Sequence, residues 1–202
     1  MASDRRLGMR SGIIASSRVE SGLNLVDPST LSGRDRHFTF TTPEVFTGTE
    51  VFLYKPPPYQ NNTQTYFAVV KLGSLSGEKT ICGFPGTGTR LYFNAGKPTI
   101  GMWGGNWGTA GLTTASTLNT WQVIGATRGA SPFALSVWRN GETPATGTGS
   151  ESDPDRAFFI GGNTTTPSFV GEIYEIILFD SVLSESNRTG VNAFLMDKYG
   201  IG

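Results

Sequence analysis

Short apolar runs recur about every ten residues from residue 37 onward, each cut off by glycine, proline or asparagine, and any fold must accommodate that rhythm. His37-Phe38-Thr39-Phe40-Thr41 alternates with period two. Glu50-Val51-Phe52-Leu53-Tyr54 follows and is stopped by Pro56, Pro57 and Pro58, because proline lacks the N–H a ladder needs. Thr65-Tyr66-Phe67-Ala68-Val69-Val70-Lys71 is the strongest strand of the first half. Further strands are expected over residues 79–84, 90–93, 99–103, 121–127, 133–139 and 157–160, with Asn140-Gly141 as a two-residue hairpin turn. The 27 glycines and 13 phenylalanines suit this reading, which leads to a sandwich or barrel of antiparallel strands in one domain.

The chain ends differently. Residues 173–179 are apolar or aromatic except Glu175, which suits a strand covered on both faces. Ser181 or Ser184 caps a helix whose apolar positions Val191, Phe194, Leu195 and Tyr199 form one stripe. Asn187, Arg188, Asn192 and Lys198 are expected to face water mostly, and Gly200 to end the helix in the left-handed conformation.

Sixteen basic and sixteen acidic residues balance, so no strong field draws the whole chain to nucleic acid or an anionic membrane. No apolar stretch approaches the roughly 18 to 20 residues of a membrane helix. Ile13-Ile14-Ala15 is too short for the core of an export signal. Cys82 is the single cysteine, so an internal disulfide is excluded, and a small core residue is the expected role.

Together these blocks resemble the concanavalin A-like, laminin-G-like jelly roll. Asn119-Thr120-Trp121-Gln122-Val123-Ile124 is similar to that family's x-W-x-x-V/I strand. Leu135-Ser136-Val137-Trp138-Arg139-Asn140-Gly141 is similar to its L-x-V-N/D-G hairpin, and Phe159-Ile160-Gly161-Gly162 to its I-G-G strand end. The ending is most specific: Phe169, Gly171, Ile173, Glu175, Leu183, Ser184, Lys198, Tyr199, Gly200 and Ile201 follow the family's closing pattern in order. The resemblance implies an all-β, two-sheet antiparallel jelly-roll sandwich over residues 37–202, with a short C-terminal helix at 184–199. Residues 1–36 are left as an extended N-terminal arm.

A fold of this kind hosts lectins, glycosidases and coat components, so function rests on sites. The related glucanases carry an E-x-D-x-x-E run, which this sequence lacks. Glu172 and Glu175 are three apart and in a regular strand point to opposite faces. No catalytic residue is expected. Asp153-Pro154-Asp155 falls far short of the roughly six to eight oxygens calcium takes, so no metal or other cofactor is expected. Trp103, Asn106 and Trp107, in a glycine-rich stretch, either stack on a sugar and hydrogen-bond its hydroxyls or pack against the sandwich. Tyr59 and Tyr92 are candidates to join such a surface.

The arm is locally basic through Arg5, Arg6, Arg10 and Arg18, and Ile13 and Ile14 are apolar enough to be buried somewhere. It is either a loose leader or a segment that orders on a neighbouring subunit. With no export signal and no disulfide, and an initial methionine suggesting a complete frame, the expectation is a non-enzymatic virion protein: a bacteriophage capsid decoration or cement protein, or a tail-fibre component. It would be made in the host cytoplasm, contact other virion proteins through the arm, and assemble as a homo-oligomer, with a trimer favoured from context. The alternative is a lectin-like carbohydrate-binding module that recognises cell-surface glycans outside the cell. Neither reading involves nucleic acid or a membrane.

Overall fold

The computed structural model describes residues 13–16, 36–49, 52–54, 63–84, 88–102, 108–130, 132–149, 158–163 and 166–202. Along the chain the elements are β1 (Ile13–Ser16), β2 (Arg36–Thr47), β3 (Phe52–Tyr54), β4 (Gln64–Leu72), β5 (Glu78–Gly83), β6 (Thr89–Asn94), β7 (Lys97–Met102) and β8 (Gly108–Gly111). They continue with β9 (Trp121–Arg128), β10 (Ala134–Arg139), β11 (Ala145–Thr148), β12 (Phe158–Ile160), β13 (Gly162–Asn163), β14 (Thr166–Pro167), β15 (Val170–Phe179) and α1 (Glu185–Tyr199). A seven-stranded sheet in the order β1-β2-β15-β4-β9-β10-β11 faces a six-stranded sheet in the order β3-β12-β5-β6-β7-β8. The pair β13-β14 stands apart. The pairings are antiparallel. This is the two-sheet sandwich with one closing helix expected of a concanavalin A-like jelly roll.

Side chains alternate across each strand, and two apolar layers result. Tyr66, Ala68, Val70 and Leu72 of β4 join Ile176 and Leu178 of β15 and Leu91 and Phe93 of β6 in the core between the sheets. Phe67 and Val69 of β4, Val123, Trp138, Ile177 and Phe179 point the other way, where Val191 and Leu195 of α1 cover them. The central strands β4 and β15 are therefore buried on both faces, as continuous apolar runs require. The Ser184 hydroxyl accepts from Asn187 N at 3.3 Å and Gly200 ends the helix at φ 62°, matching the expected caps. Asn140 and Gly141 both adopt positive φ, and Glu142 N donates to Arg139 O at 2.9 Å, as the two-residue turn requires.

One local expectation is corrected. Asn192 does not face water: it is 4% exposed, and its Oδ1 accepts from Trp138 Nε1 at 3.3 Å. A run of four residues from the N-terminal segment, β1, pairs with β2 from Ile13↔Phe40 to Ser16↔His37, so the seven-stranded sheet extends beyond the unit that began at residue 37.

The indole of Trp138 fixes the spacing of α1 above the sheet. It lies flat over Gly125, its partner across β9 and β10, and meets Phe67 edge-on at 5.7 Å between centroids. A β-carbon at Gly125 would come within 2.2 Å of Trp138 Cε2. Gly125→Ala is expected to lower stability by about 1–3 kcal/mol through this overpacking, read as a lower urea midpoint with an unchanged m-value.

Candidate functional site

On β6, Leu91 and Phe93 enter the core, so Arg90 and Tyr92 project from the outer face of the six-stranded sheet. The register sets Arg90 between Gly83 and Gly101, and Tyr92 between Thr80 and Thr99. Those two glycines leave room for long side chains to lie down. A β-carbon at Gly83 would stand 2.8 Å from Arg90 Cγ, and one at Gly101 would stand 3.1 Å from Tyr92 Cε1. Arg90 and Tyr92 are consequently 3% and 6% exposed. Arg90 Nη1 donates to Glu78 Oε1 at 3.2 Å, and Thr80 Oγ1 donates to the same oxygen at 3.3 Å. Burial lowers the Arg90 pKa, with Glu78 opposing the shift. Burial and then Glu78 raise that of Tyr92, with Arg90 opposing. Half-buried Glu78 and exposed Asn94, Lys97 and Thr109 share this face at its open margins. The centre of the face is therefore buried, and the groups it leaves within reach of a ligand are those of Glu78, Asn94, Lys97 and Thr109 at its margins.

The candidate ligand residues Trp103, Asn106 and Trp107 lie outside the described residues. Their segment joins β7 to β8, and its roots are paired, Met102 opposite Gly108, one step from the row in which Gly101 stands opposite Arg90. Tyr92, a candidate from the sequence, lies on this face but is buried, and its neighbours Arg90 and Glu78 were missed in the sequence. The signal was Arg90 and Tyr92 at i, i+2 in a strand whose neighbours carry glycine, but no local pattern specifies which glycines will flank them.

The arm residues Arg5, Arg6, Arg10 and Arg18 also lie outside the described residues, as do Tyr59, Asp153 and Asp155. Ile13 and Ile14 are in β1, opposite Phe40 and Thr39. Among the described residues no group of three or more His, Cys, Asp or Glu could hold a metal ion. Burial pushes the Cys82 thiol far up, so it stays protonated and unreactive.

The expectation that Glu172 and Glu175 point to opposite faces is overturned by a β-bulge. Glu172 stands opposite Lys71, Ile173 opposite Val70, and Glu175 opposite Val69, so Tyr174 is an extra residue in β15. Lys71 and Val69 are two apart on β4, and Glu172 and Glu175 therefore share the face beneath α1. Neither is free. Glu172 pairs with Lys71. Glu175, 1% exposed, bonds through Oε1 to His37 Nε2, while its Oε2 accepts from Lys198 Nζ at 3.0 Å and from the Tyr199 hydroxyl. Burial alone pushes the Glu175 carboxyl up. Hydrogen bonds from His37, Tyr199 and Lys198 and the charge of His37 outweigh it and hold the group below its ordinary value of 4.5. Burial and the bond to Glu175 push the Tyr199 phenol up, so it remains a donor.

This cluster ties the end of α1 to two central strands. Because the folded carboxyl protonates less readily than the unfolded one, its stabilisation is present above the ordinary pKa and is lost as pH falls through the depressed one. Glu175→Gln is expected to cost about 1–3 kcal/mol at neutral pH and to flatten the acid limb of the stability curve below about pH 4.5, as measured by thermal denaturation across pH.

The family model of the concanavalin A-like lectin/glucanases superfamily, Laminin_G_3, matches residues 46–187. No match was found among curated protein sequences. Among solved structures, the fold is similar to the CBM40 of the Ruminococcus gnavus IT-sialidase bound to α2,3 sialyllactose, at 14% identity and TM-score 0.59, covering 75% of this chain and 96% of that one. It is also similar to domain 4 of a GH43 extracellular arabinanase from Geobacillus stearothermophilus in complex with arabinotriose, at 18% identity and TM-score 0.62, covering 74% and 76%. Mouse laminin α1 chain domains LG4-5 match at 13% identity and TM-score 0.54, over 73% of this chain and 46% of that one. The family model spans more than half of the sequence, and the chain belongs to the concanavalin A-like lectin/glucanases superfamily.

Proposed function

We propose that this chain is a non-catalytic carbohydrate-binding module that recognises cell-surface glycans with the exposed margin of the outer face of the six-stranded sheet and the segment at residues 103–107. The observation that carries the reading is the polar margin of that face, exposed Asn94, Lys97 and Thr109 with half-buried Glu78, beside the paired roots of a segment whose sequence contains two tryptophans. A sugar presents apolar C–H faces that stack on rings and hydroxyls that bond to amides and carboxylates, which is the combination available here. Sialyllactose and arabinotriose in the two bacterial structures support the same ligand class.

Hydrolysis is a poor fit. It takes two carboxyls flanking the bond, about 5 to 5.5 Å apart for retention, each able to exchange a proton or attack. Glu172 and Glu175 share a face but are held by Lys71 and by the His37, Lys198 and Tyr199 cluster. These relatives favour the glycan reading over the expectation of a virion coat or tail component joined through the arm.

A glycan array followed by calorimetry tests the proposal. The full chain is expected to retain a subset of glycans, and Trp107→Ala to weaken binding at least about tenfold, or about 1.4 kcal/mol, without changing the thermal midpoint. Retention of no glycan by the wild-type chain at millimolar concentration would sink it.

A further inference from the structure

A second site lies on the opposite side of the molecule, where the β10–β11 turn meets the first half of α1. There the turn residues 141–144 and the helix side chains Glu185, Arg188, Thr189 and Asn192 enclose a cleft of about 370 Å³, with Trp138 at its base. That is near the small end of the roughly 300–1,000 Å³ typical of small-molecule sites. Arg188 is the unusual element. Its guanidinium lies over the Trp138 indole at 5.3 Å, and among the described residues it meets no carboxylate. Its Nε–H is shielded from solvent and has no acceptor among the described residues. Glu142, on the facing wall, is taken by Arg139 at 3.3 Å. Asn192 is taken too, accepting from Trp138 and directing Nδ2 at Met196 Sδ, 3.1 Å away.

A guanidinium seated over an indole is restricted in position, which lowers the entropy lost when it pairs with the two oxygens of a carboxylate. The rest of the lining supplies hydroxyls from Thr143 and Thr189 and a second carboxylate from Glu185, with Pro144 and Met196 as limited apolar contact. Hydroxyl donors and acceptors on several sides of a small cleft call for a ligand with several hydroxyls.

We propose that this cleft binds a single carboxylate-bearing sugar unit, its carboxylate paired with Arg188 and its hydroxyls with the threonines and Glu185. The site is separate from the outer face of the six-stranded sheet and does not depend on that face binding glycans.

Titrating the ¹⁵N-labelled full chain with sodium D-glucuronate, D-glucose and sodium acetate tests it, with the Trp138 indole N–H as the local probe. Glucuronate is expected to move that resonance saturably and to bind at least tenfold more tightly than glucose or acetate. Arg188→Gln is expected to weaken glucuronate at least tenfold, and Thr189→Phe, which fills the cleft from an exposed helix position, to abolish the shift, with both spectra otherwise remaining those of a folded chain. An unmoved indole resonance overturns the proposal. Equal binding of glucose overturns the carboxylate's role, equal binding of acetate overturns the sugar's, and unchanged affinity in Arg188→Gln removes the residue on which the site is built.

Discussion

A carboxylate withdrawn from water organises this sandwich around itself. Burying Glu175 without partners would be costly, and the cost is met only because three donors converge on it from β2 and the end of α1. That convergence demands a bulge in β15, since a regular strand would not carry both Glu172 and Glu175 on the face under the helix. Once Lys198 and Tyr199 reach Glu175, the helix axis is pinned at its C-terminal end. The stripe of Val191 and Leu195 can then cover Phe67, Val69, Ile177 and Phe179. The other end of the helix is located by Trp138, which spans the gap between sheet and helix by lying on Gly125.

These two anchors decide which surfaces remain for ligands. The outer face of the seven-stranded sheet packs α1, and a cleft opens there where helix and hairpin turn diverge. The six-stranded sheet carries no helix among the described residues, and its outer face holds polar and aromatic groups in place of an apolar layer. Its paired charges are informative. Arg90 is buried and holds the half-buried Glu78 carboxylate in place at the margin of the face, so it contributes orientation more than net attraction.

Much of the fold was legible because its causes are local. The apolar runs at β4, β9 and β15, the Asn140-Gly141 turn and the Ser184 and Gly200 caps each announce themselves within a few residues. Strands β8 and β11 did not. Gly-Thr-Ala-Gly and Ala-Thr-Gly-Thr lack large apolar residues at alternate positions, and they are strands because neighbouring edges hold them. The bulge at Tyr174 was likewise invisible, since an inserted residue shows only against the register of its partner strand.

The candidate sites were less legible for a related reason. Asn192 reads as a solvent-facing polar residue on a helical wheel, yet it is buried because Trp138, 54 positions earlier, needs an acceptor for its indole N–H. Arg188, one turn before it, reads as ordinary surface charge and is held on the same indole. Arg90 and Tyr92 depend on glycines supplied by two other strands. In each case the side chain's role comes from what lies across a sheet or under a helix, and identity plus spacing along one element cannot carry that information. Aromatic residues facing glycine therefore mark the informative positions in this chain: wherever a ring or guanidinium lies down over a missing side chain, an otherwise unremarkable polar neighbour acquires a fixed orientation, and orientation is what a binding surface requires.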